Sequence, residues 1–296
     1  MLFNMTEYLK QALRMFTDAG GVLSGRHVSF PYKPMSPAEL VDPALCAVGH
    51  FKPVAASLLM KLLYCARMCR GDLQFTVCSL SRRIVTWDVG CDQQLTHLFN
   101  YVASSIDLSL LCTTNAQDYD DVELHLFPDA DLAGASDTSK STSGCWAKLV
   151  GRHGTNFAVD WFSKLQTSTS HSTPEAELVA LSKSLRDVGL PLQELLSCLL
   201  DRPVKLVIHE DNESAIKIVK AGYSQAMRHA NKTHRICVGL VHECCEADDV
   251  DLRHIGSKDQ LGDLLTKGLS ASAHAAALVL ANLVSATDAY CCFEFM

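Results

Sequence analysis

The sequence predicts an α/β fold in its second half, preceded by a mainly α-helical segment. Three observations lead there. Between residues 51 and 110 apolar side chains recur at helical spacing, and after residue 122 the pattern shifts to alternating strands followed by strand and helix in turn. The polar stretch TTNAQDYDD at 113–121 separates the two regimes. A chain of 296 residues with 48% hydrophobic content can fill two cores. The expected division is therefore 1–112, 122–270 and a C-terminal tail, 271–296.

Residues 1–16 read as a short helix, and 18–50, rich in Gly, Pro and small residues, as an extended connector. Leu58, Leu59, Leu62 and Leu63 form one helical stripe, Leu73, Val77, Leu80 and Ile84 a second, and Leu95, Leu98, Phe99 and Val102 a third. In the second half VELHLF (122–127) alternates as a strand does. GCWAKLVG (144–151) and TNFAVDWFS (155–163) flank Arg152-His153-Gly154 as a hairpin. A helix is expected at 174–187 with Thr173 as cap and Pro174 at its start, then a strand at 204–210 and a helix at 213–221. Further expected elements are a helix at 232–246, a strand at 250–255 and a last helix starting near Asp259.

Composition narrows the function classes. Charged residues make up 20% of the chain and aromatics 7%, a globular profile, and the net charge of −7 excludes a strongly basic nucleic-acid footprint. The 13 cysteines include the adjacent pairs Cys244-Cys245 and Cys291-Cys292 and no Cys-x-x-Cys, which fits reduced thiols better than a disulfide framework or a zinc ribbon. MLFNMTEYLKQ lacks the apolar core of a signal peptide, and Lys61, His274, Asn282 and Asp288 interrupt the two most apolar stretches. These features predict an intracellular protein, cytoplasmic or nuclear, with no membrane partner.

Four acids stand out by local context: Asp129 in FPDADLAG, Glu177 in STPEAELVAL, Asp211 in VIHEDNESAI and Asp263 in SKDQLGDLLTKGL. Carboxylates gathered from separate elements suit hard divalent cations such as Mg²⁺ and Mn²⁺, and a pair of such ions supports phosphodiester cleavage. Each acid alone has an ordinary alternative. Asp129 reads as a turn acid at a strand end, with Asp131 competing for the role. Glu177 sits at the edge of the Leu181, Leu185 and Val188 face and reads as a satisfied, partly buried acid, with Glu175 pointing well away from that face. Asp211 reads as a helix N-cap, and Asp263, opposite Leu261, Leu264 and Leu265, as a solvated acid.

Together with DTSKSTSG at 137–144, these motifs occur in a specific order. The segment Leu124–Leu269 resembles the ribonuclease H domain of copia-type retrotransposon Pol polyproteins, where the pattern runs S-D-A-D-W-A-G, T-R-R-S-T-S-G, S-S-T-E-A-E-Y-x-A-L, C-D-N-x-S-A-I and E-D-Q-L-A-D-x-L-T-K. Upstream, TEYLKQALRMF (6–16) and SLLMKLLYCARMCRGDLQFTVCSLSR (57–82) resemble the thumb or connection segment between the reverse-transcriptase palm and ribonuclease H.

The resemblance implies a ribonuclease H-like mixed sheet flanked by helices and two Mg²⁺ ions, with Mn²⁺ as a substitute. Asp129 would bridge both ions, Glu177 and Asp211 would complete one site, and Asp263 would help hold the other. The implied substrate is an RNA/DNA hybrid, whose RNA strand is cut to a 5′-phosphate and a 3′-hydroxyl, and the implied partner is an upstream reverse-transcriptase polymerase domain. Arg228, His229, Lys232 and Arg235 form a basic cluster, either a solvated face or a contact with hybrid phosphates.

The chain departs from the pattern at Leu132, Leu178 and Lys232-Thr233. It also lacks a polymerase Tyr-x-Asp-Asp, since Tyr119-Asp120-Asp121 has no intervening residue. No DNA polymerase activity is therefore expected. The competing expectation is a catalytically silent retroelement remnant that binds nucleic acid or protein.

Overall fold

The computed structural model of the protein describes residues 1–36, 39, 42–135 and 138–285. Asp137, which opens the D-T-S-K-S-T-S-G motif, and the tail beyond Ser285 lie outside the described residues. The chain divides into two compact units: Met1–Leu111 with the described residues from Gly268 onward, and Cys112–Lys267.

The first unit begins with β1 (Leu2–Phe3) and α1 (Thr6–Asp18), whose Leu9, Ala12 and Phe16 recur at helical spacing and are buried. Next come α2 (Ala55–Met68), α3 (Gln74–Ser81), α4 (Val89–Ser104) and β2 (Ser109–Leu111). The Asp88 side chain caps α4 by accepting the Cys91 N–H at 2.8 Å, which satisfies one of the free donors of the first turn. All three leucine stripes feed one core, which includes Leu58, Leu62, Val77, Leu95 and Phe99.

The second unit runs β3 (Glu123–Ala130), β4 (Thr142–Val150), β5 (Asn156–Leu165), α5 (Thr173–Ser184), α6 (Leu190–Leu200), β6 (Leu206–Glu210), α7 (Glu213–Ala221), α8 (Ala230–Thr233), α9 (Val238–Cys245), β7 (Val250–His254) and α10 (Asp263–Thr266). A π-turn at Leu185–Gly189 joins α5 to α6. The sheet order is β5-β4-β3-β6-β7. The hairpin strands are antiparallel, while β3, β6 and β7 are parallel. This is the ribonuclease H-like mixed sheet flanked by helices.

The strand expected at 122–127 continues to Ala130, with Leu124 and Leu126 facing the core that α5 covers through Leu178 and Leu181 and every residue from Leu126 onward buried. The opposite face holds Phe127, Trp146 and Trp161, the two indoles stacked at 4.7 Å.

After the second unit, α11 (Ala271–Leu280) and β8 (Leu283–Val284) return to the first. There β8 pairs with β2 in the register Leu110↔Leu283 and completes the sheet β1-β2-β8. Residues 271–284, expected as a tail, thus form part of the first unit's core and sheet.

Several other expectations change. The cap of α5 is Ser172, not Thr173. The helix expected at 232–246 is broken, because Arg235 adopts the left-handed backbone conformation (φ 58°) that ends a right-handed helix. The last expected helix splits into a 3₁₀ turn at Ser257–Asp259, α10 and α11. Among the described residues no helix is long and apolar enough to cross a membrane.

Candidate metal centre

The parallel pairing of β3 with β6 sets up the site. It matches Leu124 with Leu206 and Leu126 with Ile208, and the same register carried forward places Asp211 level with Asp129. Both acids therefore sit at the C-terminal edge of adjacent parallel strands, where α/β sheets open a crevice. From its second turn α5 adds Glu177. One carboxylate oxygen from each of Asp129, Glu177 and Asp211 lies within 4.8 Å of the others.

Asp129 is only 1% exposed and Glu177 only 4%. The protein holds one oxygen of each. Thr266 Oγ1 donates to Asp129 Oδ2, and the Ala130 N–H donates to Glu177 Oε2 at 2.9 Å. Each carboxylate retains a second oxygen. The three acids, with Thr173, Asn212 and Lys267, border an open depression of about 530 Å³.

Asp211 is not a cap. Asn212 caps α7, its Oδ1 accepting the N–H groups of Ser214 and Ala215 at 3.0 and 3.1 Å, which leaves the Asp211 side chain to the cluster. Asp131 is the turn acid of the pair, since it accepts the Thr142 N–H. Asp263 is not a solvated acid either. Its side chain is largely buried, it pairs with Lys267 at 2.5 Å, and its charge acts on Asp129. It stands beside the three-acid group and outside it.

The electrostatics follow from this crowding. Burial, reinforced by the Asp263 charge, pushes the Asp129 carboxyl up to about 7. Burial again, then the charges of Asp129, Glu210 and Asp211, push Glu177 up to about 11. Asp263 is also raised by burial, with Lys267 pulling it back. Burial opposes the Lys267 charge, but Asp129 and Asp263 overcome it and raise its pKa above the ordinary lysine value.

Close, buried carboxylates that repel one another and keep spare oxygens form the donor set a hard divalent cation fits, because the cation would offset the repulsion that protonation now relieves.

Sequence reasoning missed four side chains here. Glu210, in the position where the copia-type pattern has Cys, is fully buried, and its Oε2 has no partner. Burial and the nearby Asp211 and Asp129 charges raise it well above the ordinary range, against the Asn212 N–H bond that favours its charged form. Thr266 and Lys267 were present in the LLTK motif but carried no assigned role. Gln260 Nε2 donates to Pro128 O at 3.0 Å and His209 O at 3.1 Å, stapling the ends of β3 and β6 together.

Of the basic cluster, Arg228, Lys232 and Arg235 are exposed. His229 is partly buried, and its Nε2 donates to Glu175 Oε1 at 2.8 Å. Glu175, expected to point away from the core, is 1% exposed.

No protein-family model matches the chain. It is similar to the retrovirus-related Pol polyprotein from transposon TNT 1-94 of Nicotiana tabacum, with 29% identity over 142 residues, 48% of this chain and 10% of the relative. The corresponding polyprotein from transposon RE2 of Arabidopsis thaliana is 26% identical over 206 residues, 68% of this chain and 13% of the relative. The chain thus spans about a tenth of the length of these curated relatives.

Among solved structures, RNase H1 from the halophilic archaeon Halobacterium salinarum NRC-1 aligns at 14% identity with a TM-score of 0.35, covering 49% of this chain and 94% of that one. LC11-RNase H1, solved in complex with an RNA/DNA hybrid, aligns at 11% with a TM-score of 0.35, covering 49% and 94%. The chain is thus similar in sequence to retrovirus-related Pol polyproteins from copia-type plant transposons.

Proposed function

We propose that the second unit is a divalent-metal-dependent ribonuclease H that cleaves the RNA strand of RNA/DNA hybrids. The observation that carries this is the three-carboxylate group at the C-terminal edge of β3 and β6. Asp129, Glu177 and Asp211 would hold one ion, and Asp129 with Asp263 a second. Bound Mg²⁺ or Mn²⁺ would supply Lewis-acid activation of water and charge stabilisation at the leaving oxygen.

The chain's own residues prepare that site. Thr266 fixes one Asp129 oxygen, the Ala130 N–H fixes one Glu177 oxygen, and Lys267 balances Asp263. Arg228, Lys232 and Arg235, all exposed, are the candidates for hybrid phosphates, and His229 joins them from a partly buried position. An upstream polymerase domain is the proposed partner.

Glu210 favours a second reading. It places a fully buried acid with an unpartnered Oε2 next to Asp211, where the copia-type pattern has Cys, a departure that a catalytically silent nucleic-acid- or protein-binding remnant would tolerate.

The test is cleavage of a labelled RNA/DNA hybrid with and without Mg²⁺ or Mn²⁺, beside Asp129→Asn. Metal-dependent cutting of the RNA strand alone, reduced about 10³-fold or more in the variant, supports the enzyme. No cutting by folded protein in either metal supports the silent module.

A further inference from the structure

The copia-type motif around Glu177 contains a second acid, Glu175, for which the metal cluster has no use. Both of its oxygens are committed elsewhere. Oε2 accepts the N–H of His171, the residue before the cap, at 2.8 Å, and the hydroxyl of the cap residue Ser172 accepts the Glu175 N–H. A cap requires only that much. Oε1 also contacts two imidazoles, His229 Nε2 at 2.8 Å and His234 Nε2 at 3.2 Å. The His229 ring packs edge-on against His171 at 5.3 Å, and Ser168 Oγ donates to Thr233 O at 2.8 Å. Residues 168–175 therefore hold residues 229–234 through a single buried carboxylate, a ring contact and a hydroxyl-to-carbonyl hydrogen bond.

The held segment carries Arg228, Lys232 and Arg235, all exposed. Met227 and Ala230 bury the apolar side of this segment in the core, and the Glu175 carboxylate is the buried polar group that holds its other side. The carboxylate that anchors it lies two residues before Glu177 on the same helix.

We propose that Glu175 is a positioning residue: it ties the basic segment 228–235 to the first turn of α5, so that the cations and Glu177 meet one substrate in a fixed relation. The proposal rests on the hybrid-cleaving reading above and adds to it the residue that sets substrate binding. Glu175 does not touch the reacting atoms. Its loss should weaken hybrid binding and spare the chemical step.

The experiment compares wild type, Glu175→Ala, Glu175→Gln and Ser172→Ala in two measurements. The first is limited trypsin digestion, which cuts after Arg228, Lys232 and Arg235 and owes nothing to nuclease activity. The tether predicts faster cutting there in Glu175→Ala, with Glu175→Gln intermediate. Ser172→Ala loses the cap bond and keeps both imidazole contacts, so it should digest like wild type.

The second measurement is steady-state cleavage of a labelled hybrid. KM should rise about tenfold in Glu175→Ala with kcat held, and stay unchanged in Ser172→Ala. Glu175→Gln, which keeps the volume and the cap acceptor, serves if the Ala variant does not fold. Unchanged digestion overturns the tether. Faster digestion with unchanged KM, or an equal loss in kcat, overturns the positioning role. If wild type cuts nothing, the enzyme reading fails by itself, and hybrid binding by fluorescence anisotropy then decides: weaker binding in Glu175→Ala supports the proposal and equal binding overturns it.

Discussion

The hydroxyl of Thr266 reaches across the end of β4 to donate to Oδ2 of Asp129, and it can do so because Gly144 stands opposite Asp129 in the sheet. A Cβ on Gly144 would lie 2.7 Å from Thr266 Cγ2 and 2.8 Å from Leu265 Cβ, so the bare backbone admits α10 onto the strand. Thr266 is fully buried, and its bond favours the charged form of Asp129 against burial.

Replacing Thr266 by Val keeps the shape and removes the donor. The buried Asp129 oxygen is then unsatisfied, at a cost of about 1–3 kcal/mol. Its carboxyl is protonated still more readily, so cleavage should need several-fold more Mg²⁺. Thr266→Ser should behave nearly as wild type. A Mg²⁺ titration of hybrid cleavage with a thermal melt checks both; a Val variant matching wild type in each would remove the hydroxyl from the account.

Gly144→Ala tests the close approach. Overpacking of this kind costs about 1–3 kcal/mol, and α10 must move away from Asp129. Denaturant unfolding should show the loss, and Mg²⁺-dependent stabilisation should weaken with it. A variant of unchanged stability would mean that α10 yields freely.

The crowded acids predict an unusual pH dependence. An ordinary Asp or Glu titrates near 4 in the unfolded chain, whereas burial and then the Asp263 charge raise folded Asp129 to about 7. Between these values the folded protein binds the extra proton, so stability falls as pH rises. The Asp129 contribution is fully present below about pH 4 and lost through about pH 7. Glu177, raised first by burial to about 11, extends the fall upward. Metal-free wild type should therefore melt at lower temperature at pH 8 than at pH 5, by about 5 °C or more. Asp129→Asn should flatten that slope, and Mg²⁺ should stabilise wild type more at pH 8 than at pH 5. Melts at both pH values, with and without EDTA, decide it; equal slopes in wild type and variant would refute the assignment.

In the first unit Arg70 and Asp72 form a fully buried bidentate pair at 2.7 and 2.9 Å. Tyr101 donates to Asp72 at 2.7 Å and contacts His274 Nε2 at 2.9 Å, which joins α11 to the helical core. Asp72→Asn strands the Arg70 charge and should cost about 3–5 kcal/mol. Arg70→Met combined with Asp72→Leu should cost less than Asp72→Asn alone, because no buried charge remains unpaired. Denaturant unfolding of the two variants makes the comparison.

The sequence by itself determined the β-strand order along the chain, the hairpin around Arg152-His153-Gly154, and the helix at 213–221, because alternation, turn residues and caps are local signals. Motif order singled out Asp129, Glu177, Asp211 and Asp263. Only the tertiary structure decided which acids meet. Parallel register between β3 and β6 makes Asp129 and Asp211 neighbours, and Asn212 takes the cap that Asp211 was expected to supply. Helical periodicity judged Glu175 by its own helix alone and sent it outward. The histidines that bury it come from a segment more than 50 residues away in sequence. Glu210 and the return of 271–284 to the first unit escaped for the same reason: burial and pairing depend on neighbours distant along the chain, which no local pattern records.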